Sequence, residues 1–198
     1  MQAAQVREAL QRPWKHGEAL ELAGLTLTEP LDLRGLTLCG VDFTGARFDG
    51  GVMAAGARFE GLSWFNGARF AQADFSGALF VNDARFDQAR FDGFARFDHA
   101  EFRGTAGFRA ARFAKGADLS AAVCYGNADL AEARFDGPTT VTGSEFLGGL
   151  WAQETALPAD ADLSGTEVHG RLWLRGARIG NARLSDRAFG MAFGYTFY

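Results

Sequence analysis

The sequence predicts an all-β solenoid, a chain of very short strands wound into stacked coils. Two observations carry this. Large apolar residues recur at Phe80, Phe86, Phe91, Phe97, Phe102, Phe108 and Phe113, then at Leu119, Cys124, Leu130, Phe135, Val141 and Phe146, in steps that alternate six and five. A small residue stands two positions before nearly every one, from Ala84 and Ala89 to Thr139 and Ser144. Such a period fits neither a helix nor one long strand, but positions two apart share a face of an extended segment. Each unit therefore reads as a small and a large residue facing inward, the residue between them facing outward, and a turn of two or three residues. One unit cannot bury its apolar face alone, so the units must coil and stack.

The runs ADFSG, ARFDG, AEFRG, GADLS and NADLA carry the pattern Ala-(Asp/Asn)-(Leu/Phe)-x-x. In this the chain resembles the pentapeptide-repeat family over roughly residues 20–189. The resemblance implies a right-handed quadrilateral parallel β-helix, with one unit per side. This chain departs from the family pattern by adding one residue to every second unit, so a coil would hold 22 residues instead of 20. About eight coils at ~4.8 Å each would make a rod ~37 Å long. The six-residue steps leave three residues for the turn, and the middle one is often glycine: Gly93, Gly104, Gly126, Gly137, Gly148 and Gly170. Glycine tolerates positive φ, so tight bulged corners are expected there. Aspartates that follow an inward Phe (Asp49, Asp87, Asp92, Asp98, Asp136) are expected to hold the turns through local backbone hydrogen bonds.

Residues 1–19 form the expected cap. Gln2 to Arg12 read as a helix with Val6, Ala9 and Leu10 on one face and Pro13 ending it. A lid is needed because a solenoid end exposes apolar interior and unpaired strand edges. Residues 20–189 are the expected solenoid. Its first coils pair large residues, as in Leu20/Leu22 and Leu31/Leu33, and should pack differently from the rest. Phe48, Met53, Phe59, Trp64, Phe70 and Phe75 continue the inward ladder, with one residue lost between Phe70 and Phe80. This register puts 15 of the 19 Phe inward and leaves Phe65, Phe94, Phe193 and Phe197 outside. Beyond Phe146 the pattern fades, yet adding 22 keeps landing on apolar residues: Ala152, Leu157, Leu163, Val168, Leu174 and Ile179. Leu184 and Phe189 then close the last turn. Residues 190–198 are the C-terminal aromatic strand, whose alternating Met191, Phe193, Tyr195 and Phe197 would close the open end or pair with a second copy.

The chemistry-bearing residues point away from catalysis. His16, His99 and His169 lie in unrelated contexts, and the glycines punctuate turns instead of opening a helix under a phosphate. No Cys-x-x-Cys, His-Glu-x-x-His or nucleophile elbow occurs. The reading is therefore a non-enzymatic protein with no cofactor and no metal. Cys124 faces inward as a small hydrophobe and Cys39 sits in a turn after Leu38, so both are expected as free thiols. No leader-like segment or membrane-spanning apolar run is present, which suggests a cytoplasmic protein with no membrane contact.

The outward residues carry what functional signal there is. Residues 22 apart should stack on one wall. Arg90, Arg112 and Arg134, with Arg178 beyond, would form a basic column, softened by Asp92 and Asp136. Glu101, Val123, Glu145 and Glu167 would lie on the opposite wall. Trp151 and Trp173 share another column, near Tyr125 and Leu147. Exposed aromatics and one-sided charge suit a docking surface. The candidate interaction residues are thus Trp151, Trp173, Arg90, Arg112, Arg134, Phe193, Tyr195 and Phe197. The expected function is a protein-interaction or scaffold module that binds an as yet undefined protein and dimerises through its C-terminal end. An alternative comes from the family resemblance, since some members mimic duplex DNA to protect DNA gyrase and related topoisomerases from quinolones. A net charge of only −4, with arginines interleaved, argues against that, and against nucleic acid as a partner less directly.

Overall fold

The computed structural model describes residues 1–198. After one helix, α1 (Ala3–Leu10), the chain is a β-solenoid of strands mostly two residues long. Through Ala156–Leu157 successive strands fall on four walls in rotation, and the four sheets hold nine, nine, six and eight strands, parallel except for one terminal pair. We number these walls I to IV in chain order, starting from Ala19–Glu21, Thr26–Leu27, Leu31–Asp32 and Thr37–Leu38.

The spacing between stacked residues is 22 through the middle of the rod, as in Phe80↔Phe102, Phe102↔Cys124 and Cys124↔Phe146 on wall IV. The first coils are shorter by one residue: Leu20 pairs with Val41 and Thr26 with Arg47. The last is longer, with Trp173 above which Phe197 lies.

Inside, aromatic rings stack coil upon coil. Phe70, Phe91, Phe113 and Phe135 form one near-parallel column with centroids 4.9, 4.6 and 4.4 Å apart. Rings on neighbouring walls meet edge-on, as Phe91 does Phe97 at 5.8 Å and 85°. Each buried Phe contributes ~1.5–3 kcal/mol of transfer free energy, so these columns can stabilise a rod with no other core. Alanine two positions earlier gives the rings room, and Ala84, Ala95, Ala100, Ala111 and Ala117 are all fully buried. Where Ser144, Thr155 and Thr166 take the small position, each hydroxyl donates to a carbonyl one coil below, at 2.6–2.7 Å. This satisfies a buried polar group that would otherwise cost ~1–3 kcal/mol. Ala152 occupies a large site, and a cavity of about 20 Å³ remains among Leu119, Leu130, Val141 and Leu163.

Four sequence expectations need correcting. Trp64 and Met53 do not face inward; Phe65 and Ala54 do, at 1% and 0% exposure. Phe65 stacks on Phe86 at 4.8 Å and on Phe43 at 5.5 Å, which brings the buried Phe to 16.

The glycines of the six-residue steps are not positive-φ corners. They are needed because successive coils approach there: a β-carbon on Gly148 would stand 2.5 Å from the Gly126 carbonyl oxygen, and one on Gly170 2.5 Å from that of Gly148. Positive φ falls instead mainly on the five-residue steps, although Gly51, Gly116 and Gly149 adopt it on six-residue ones. It recurs every ten or eleven residues at Gly67, Gly77, Gln88, His99, Ala110, Ala121 and Glu132. There the backbone closes a tight turn, as in Ala89 N–H to Phe86 C=O at 3.0 Å, with positive φ at the third residue.

The turn-holding aspartates are also a different set. Asp42, Asp74, Asp118, Asp129 and Asp162 stand outward and accept the N–H two residues on, at 2.8–3.0 Å. The aspartates after the inward Phe bond other side chains or the next coil, as Asp87 does with the Arg109 N–H at 3.0 Å.

Helix α1 buries Ala3, Val6 and Leu10 in the common core, and the Leu10 carbonyl accepts the Cys39 N–H at 2.8 Å. Cys39 is thereby buried beneath the cap. Both cysteines are free, and burial pushes the Cys124 thiol up to about 12. No helix is long and apolar enough to cross a membrane.

The tail holds two short strands, not one. Met191–Ala192 adds to wall IV and Thr196–Phe197 to wall I, with the corner between them at Gly194. Wall II ends differently, with Ala182–Arg183 folding back antiparallel on Arg178–Ile179.

Candidate interaction surface

The parallel register turns the outward residues into ladders, one rung per coil. Wall II presents Arg47, Arg69, Arg90, Arg112, Arg134 and, after Ala156, Arg178. The structure thus brings Arg90, Arg112 and Arg134 together as the spacing predicts. It adds Arg47 and Arg69, which the 22-residue rule missed because the step from Arg69 to Arg90 is 21.

Counter-charges are few. Asp92 takes Nε of both Arg69 and Arg90 at 2.5 Å, and Asp136 takes Arg112 at 2.8 Å. Partial burial works to raise the Asp92 carboxyl, but the hydrogen bonds and charges of Arg90 and Arg69 outweigh it and hold it below the usual range. Arg134 has no ion pair: of the two carboxylates nearest in sequence, Asp136 is turned to Arg112 and Glu132 to Arg109. Arg178 faces Arg183 directly across the terminal hairpin.

Wall IV lies opposite and presents Glu101, Val123, Glu145 and Glu167. Glu101 binds Arg103 at 2.7 Å and Glu167 approaches His169 at 3.2 Å. The prism is therefore basic on one side and more acidic on the other, with exposed pairs that stabilise it little.

The largest apolar feature wraps the corner between walls IV and I near the C-terminal end. On wall I, Trp151 pairs with Trp173, and Phe197 lies flat on Trp173 at 4.1 Å and 13°. Along the edge of wall IV, Tyr125, Leu147, His169 and Phe193 each donate a backbone N–H to the coil below, which fixes them as one column. Phe193 stacks on His169 at 4.5 Å. Gly104, Gly126, Gly148, Gly170 and Gly194 run between the two columns. The same glycines that let the coils approach keep the corner itself free of side chains, although the exposed Arg171, set over Gly149, stands beside Gly170 on the Trp173 side.

Beyond these columns the tail exposes Met191, Tyr195 and Tyr198, with Tyr195 at 81%. Phe193 and Phe197 do not share the single face that alternation suggested, because the corner at Gly194 puts them on adjoining walls. The indole N–H of Trp173 is buried and has no acceptor. No group of three His, Cys, Asp or Glu side chains is arranged to hold a metal ion.

Comparison with known proteins identifies the repeat. The family model for pentapeptide repeats (9 copies) matches residues 54–101, 65–112 and 86–134. No curated protein matches the chain. Among solved structures, HetL, a pentapeptide repeat protein involved in heterocyst differentiation regulation from the cyanobacterium Nostoc sp. strain PCC 7120, is 17% identical. The alignment covers 90% of this chain and 86% of HetL, with a TM-score of 0.31. QnrB1, a plasmid-mediated fluoroquinolone resistance protein, is 20% identical, with 90% and 92% covered and a TM-score of 0.22.

Proposed function

Because the chain belongs to the pentapeptide-repeat family, we propose that it works as a non-enzymatic scaffold, a rigid rod that binds a protein partner and pairs with a second copy through its C-terminal end. The observation that carries this reading is the aromatic corner formed by Trp151, Trp173, Phe197, His169 and Phe193, continuous with the exposed Tyr195 and Met191. Soluble proteins rarely leave such a contiguous apolar patch open, and aromatic residues dominate the binding energy of protein interfaces.

Self-pairing follows from the same end of the rod. The N-terminal end is closed by α1, whereas the last strands, Met191–Ala192 and Thr196–Phe197, keep one edge unpaired. An open edge beside exposed aromatics favours association. The arginine ladder of wall II, centred on Arg90, Arg112 and Arg134, would orient an acidic protein surface on approach. A duplex-mimicking role would instead need a dense run of carboxylates. On wall IV the glutamates are interrupted by Val123, and Arg58 and Leu79 precede them in the same column.

Light scattering on the full chain should give a dimer of the 21.3 kDa protomer. Removing residues 190–198 should give a monomer. Because truncation also uncovers the last coil, the exposed-residue substitution Tyr195→Glu should shift the equilibrium the same way without unfolding the rod. A full-length chain that stays monomeric at all concentrations would refute the pairing.

A further inference from the structure

A cleft at the other end of the rod combines two features that the scaffold reading does not use. The segment after α1 crosses the corner between walls IV and I, and Trp14 lands there on Gly61. A β-carbon on Gly61 would stand 2.6 Å from the Trp14 Nε1 and 2.5 Å from the Gly40 Cα, so only glycine leaves room for the indole. Trp14 remains 39% exposed and stacks on His16 at 6.2 Å. Trp64 and Leu62 of the neighbouring coil face it, leaving an open cleft of about 290 Å³ whose rim includes Glu18 and Glu21.

The carboxylates there are short of cations. Glu18 has only Lys15, 3.9 Å away and largely in solvent. Glu21 makes no ion pair, and the register sets Asp42 directly above it, between Glu21 and Trp64. Asp42 accepts the Thr44 N–H at 2.8 Å and likewise meets no cation. Like charges on adjacent strands repel, and a bound cation would relieve that cost.

Indole faces attract cations that shed water easily, while carboxylates supply the net charge. We propose that this cleft binds an organic ammonium ion, with methylated ammonium preferred over the strongly hydrated primary ammonium. The volume suits a single small head group and not an extended chain.

The test is a titration of the full-length, ¹⁵N-labelled protein with tetramethylammonium chloride, against sodium chloride at equal ionic strength. The readout is the four indole N–H resonances. Trp14 and Trp64 should shift saturably, and Trp151 and Trp173, at the far end, should not. Glu21→Gln, an exposed substitution that leaves the fold intact, should weaken binding about fivefold, and Trp64→Leu should abolish it.

N-acetyl-lysine methylamide provides the second arm. Weaker binding than tetramethylammonium supports the assignment, and tighter binding would overturn it. The proposal also fails if sodium chloride reproduces the shifts, if all four indoles move together, or if Glu21→Gln binds as the parent does.

Discussion

Gly148 lies so close over Gly126 that a β-carbon on the upper residue would stand 2.5 Å from the lower residue's carbonyl carbon and oxygen. The contact repeats at Gly170 over Gly148, so one corner of the rod is a column of glycines set by contact between coils. Replacing Gly148 with Ala should therefore force the coils apart and cost ~1–3 kcal/mol. Gly143 is the control, with φ of +68° and nothing within 4 Å of an added β-carbon. There, Ala meets only the left-handed backbone penalty, ~1–2 kcal/mol, part of which is returned by lower chain entropy in the unfolded state. Urea unfolding of both variants would show the larger loss at Gly148.

The left-handed positions offer the opposite change. Ala121 has φ of 53°, in a turn closed by Ala122 N–H to Leu119 C=O at 3.2 Å. Glycine relieves the steric strain and gives back some of it as backbone entropy. Ala121→Gly should be neutral or raise stability by up to ~1 kcal/mol, seen as a higher denaturation midpoint at unchanged slope.

Phe65 and Trp64 separate the two possible registers of the early coils. Phe65 is sealed between Phe43 and Phe86, whereas Trp64 stands outward and half-exposed. Phe65→Ala should cost ~3–5 kcal/mol, and Trp64→Ala under about 1 kcal/mol. Comparable losses would mean the wall assignment is wrong here.

Asp92 links two rungs of the arginine ladder and should leave a trace in the acid limb of stability. Its carboxyl is held below the usual value in the folded state, so it stabilises the fold above the unfolded-state value of ~3.9. That contribution is lost as the pH falls through the lower, folded value. Asp92→Asn should cost about 0.5–1 kcal/mol at neutral pH and show a shallower loss below about pH 4. Urea midpoints across pH 2–7 would measure both.

Much of this was legible in the chain because the repeat writes geometry directly into spacing. The inward columns of Phe80, Phe102 and Cys124, and of Phe91 and Phe113, follow from counting 22, and so do the ladders of Arg90, Arg112 and Arg134 and of Trp151 and Trp173. Counting failed where a coil is one residue short. With the lost residue placed loosely, Trp64 and Phe65 fit the alternation equally well. The small Ser63, two before Phe65, was the clue that favoured the structure's choice. Met53 misled in the same way, being the larger neighbour of Ala54, which is the residue that fills the inward site.

From Phe75 to Phe146 the sequence alone determined the wall-by-wall wrapping, since there the short-range alternation of small, outward and large residues keeps one register. Tertiary structure decided the distances between coils, because these depend on atoms 22 residues apart that no local pattern describes. Those distances made Gly148 a spacer and not a hinge, and placed Phe197 flat on Trp173. They also set Trp14 on Gly61, where it faces Trp64 across a cleft that no run of neighbouring residues encodes.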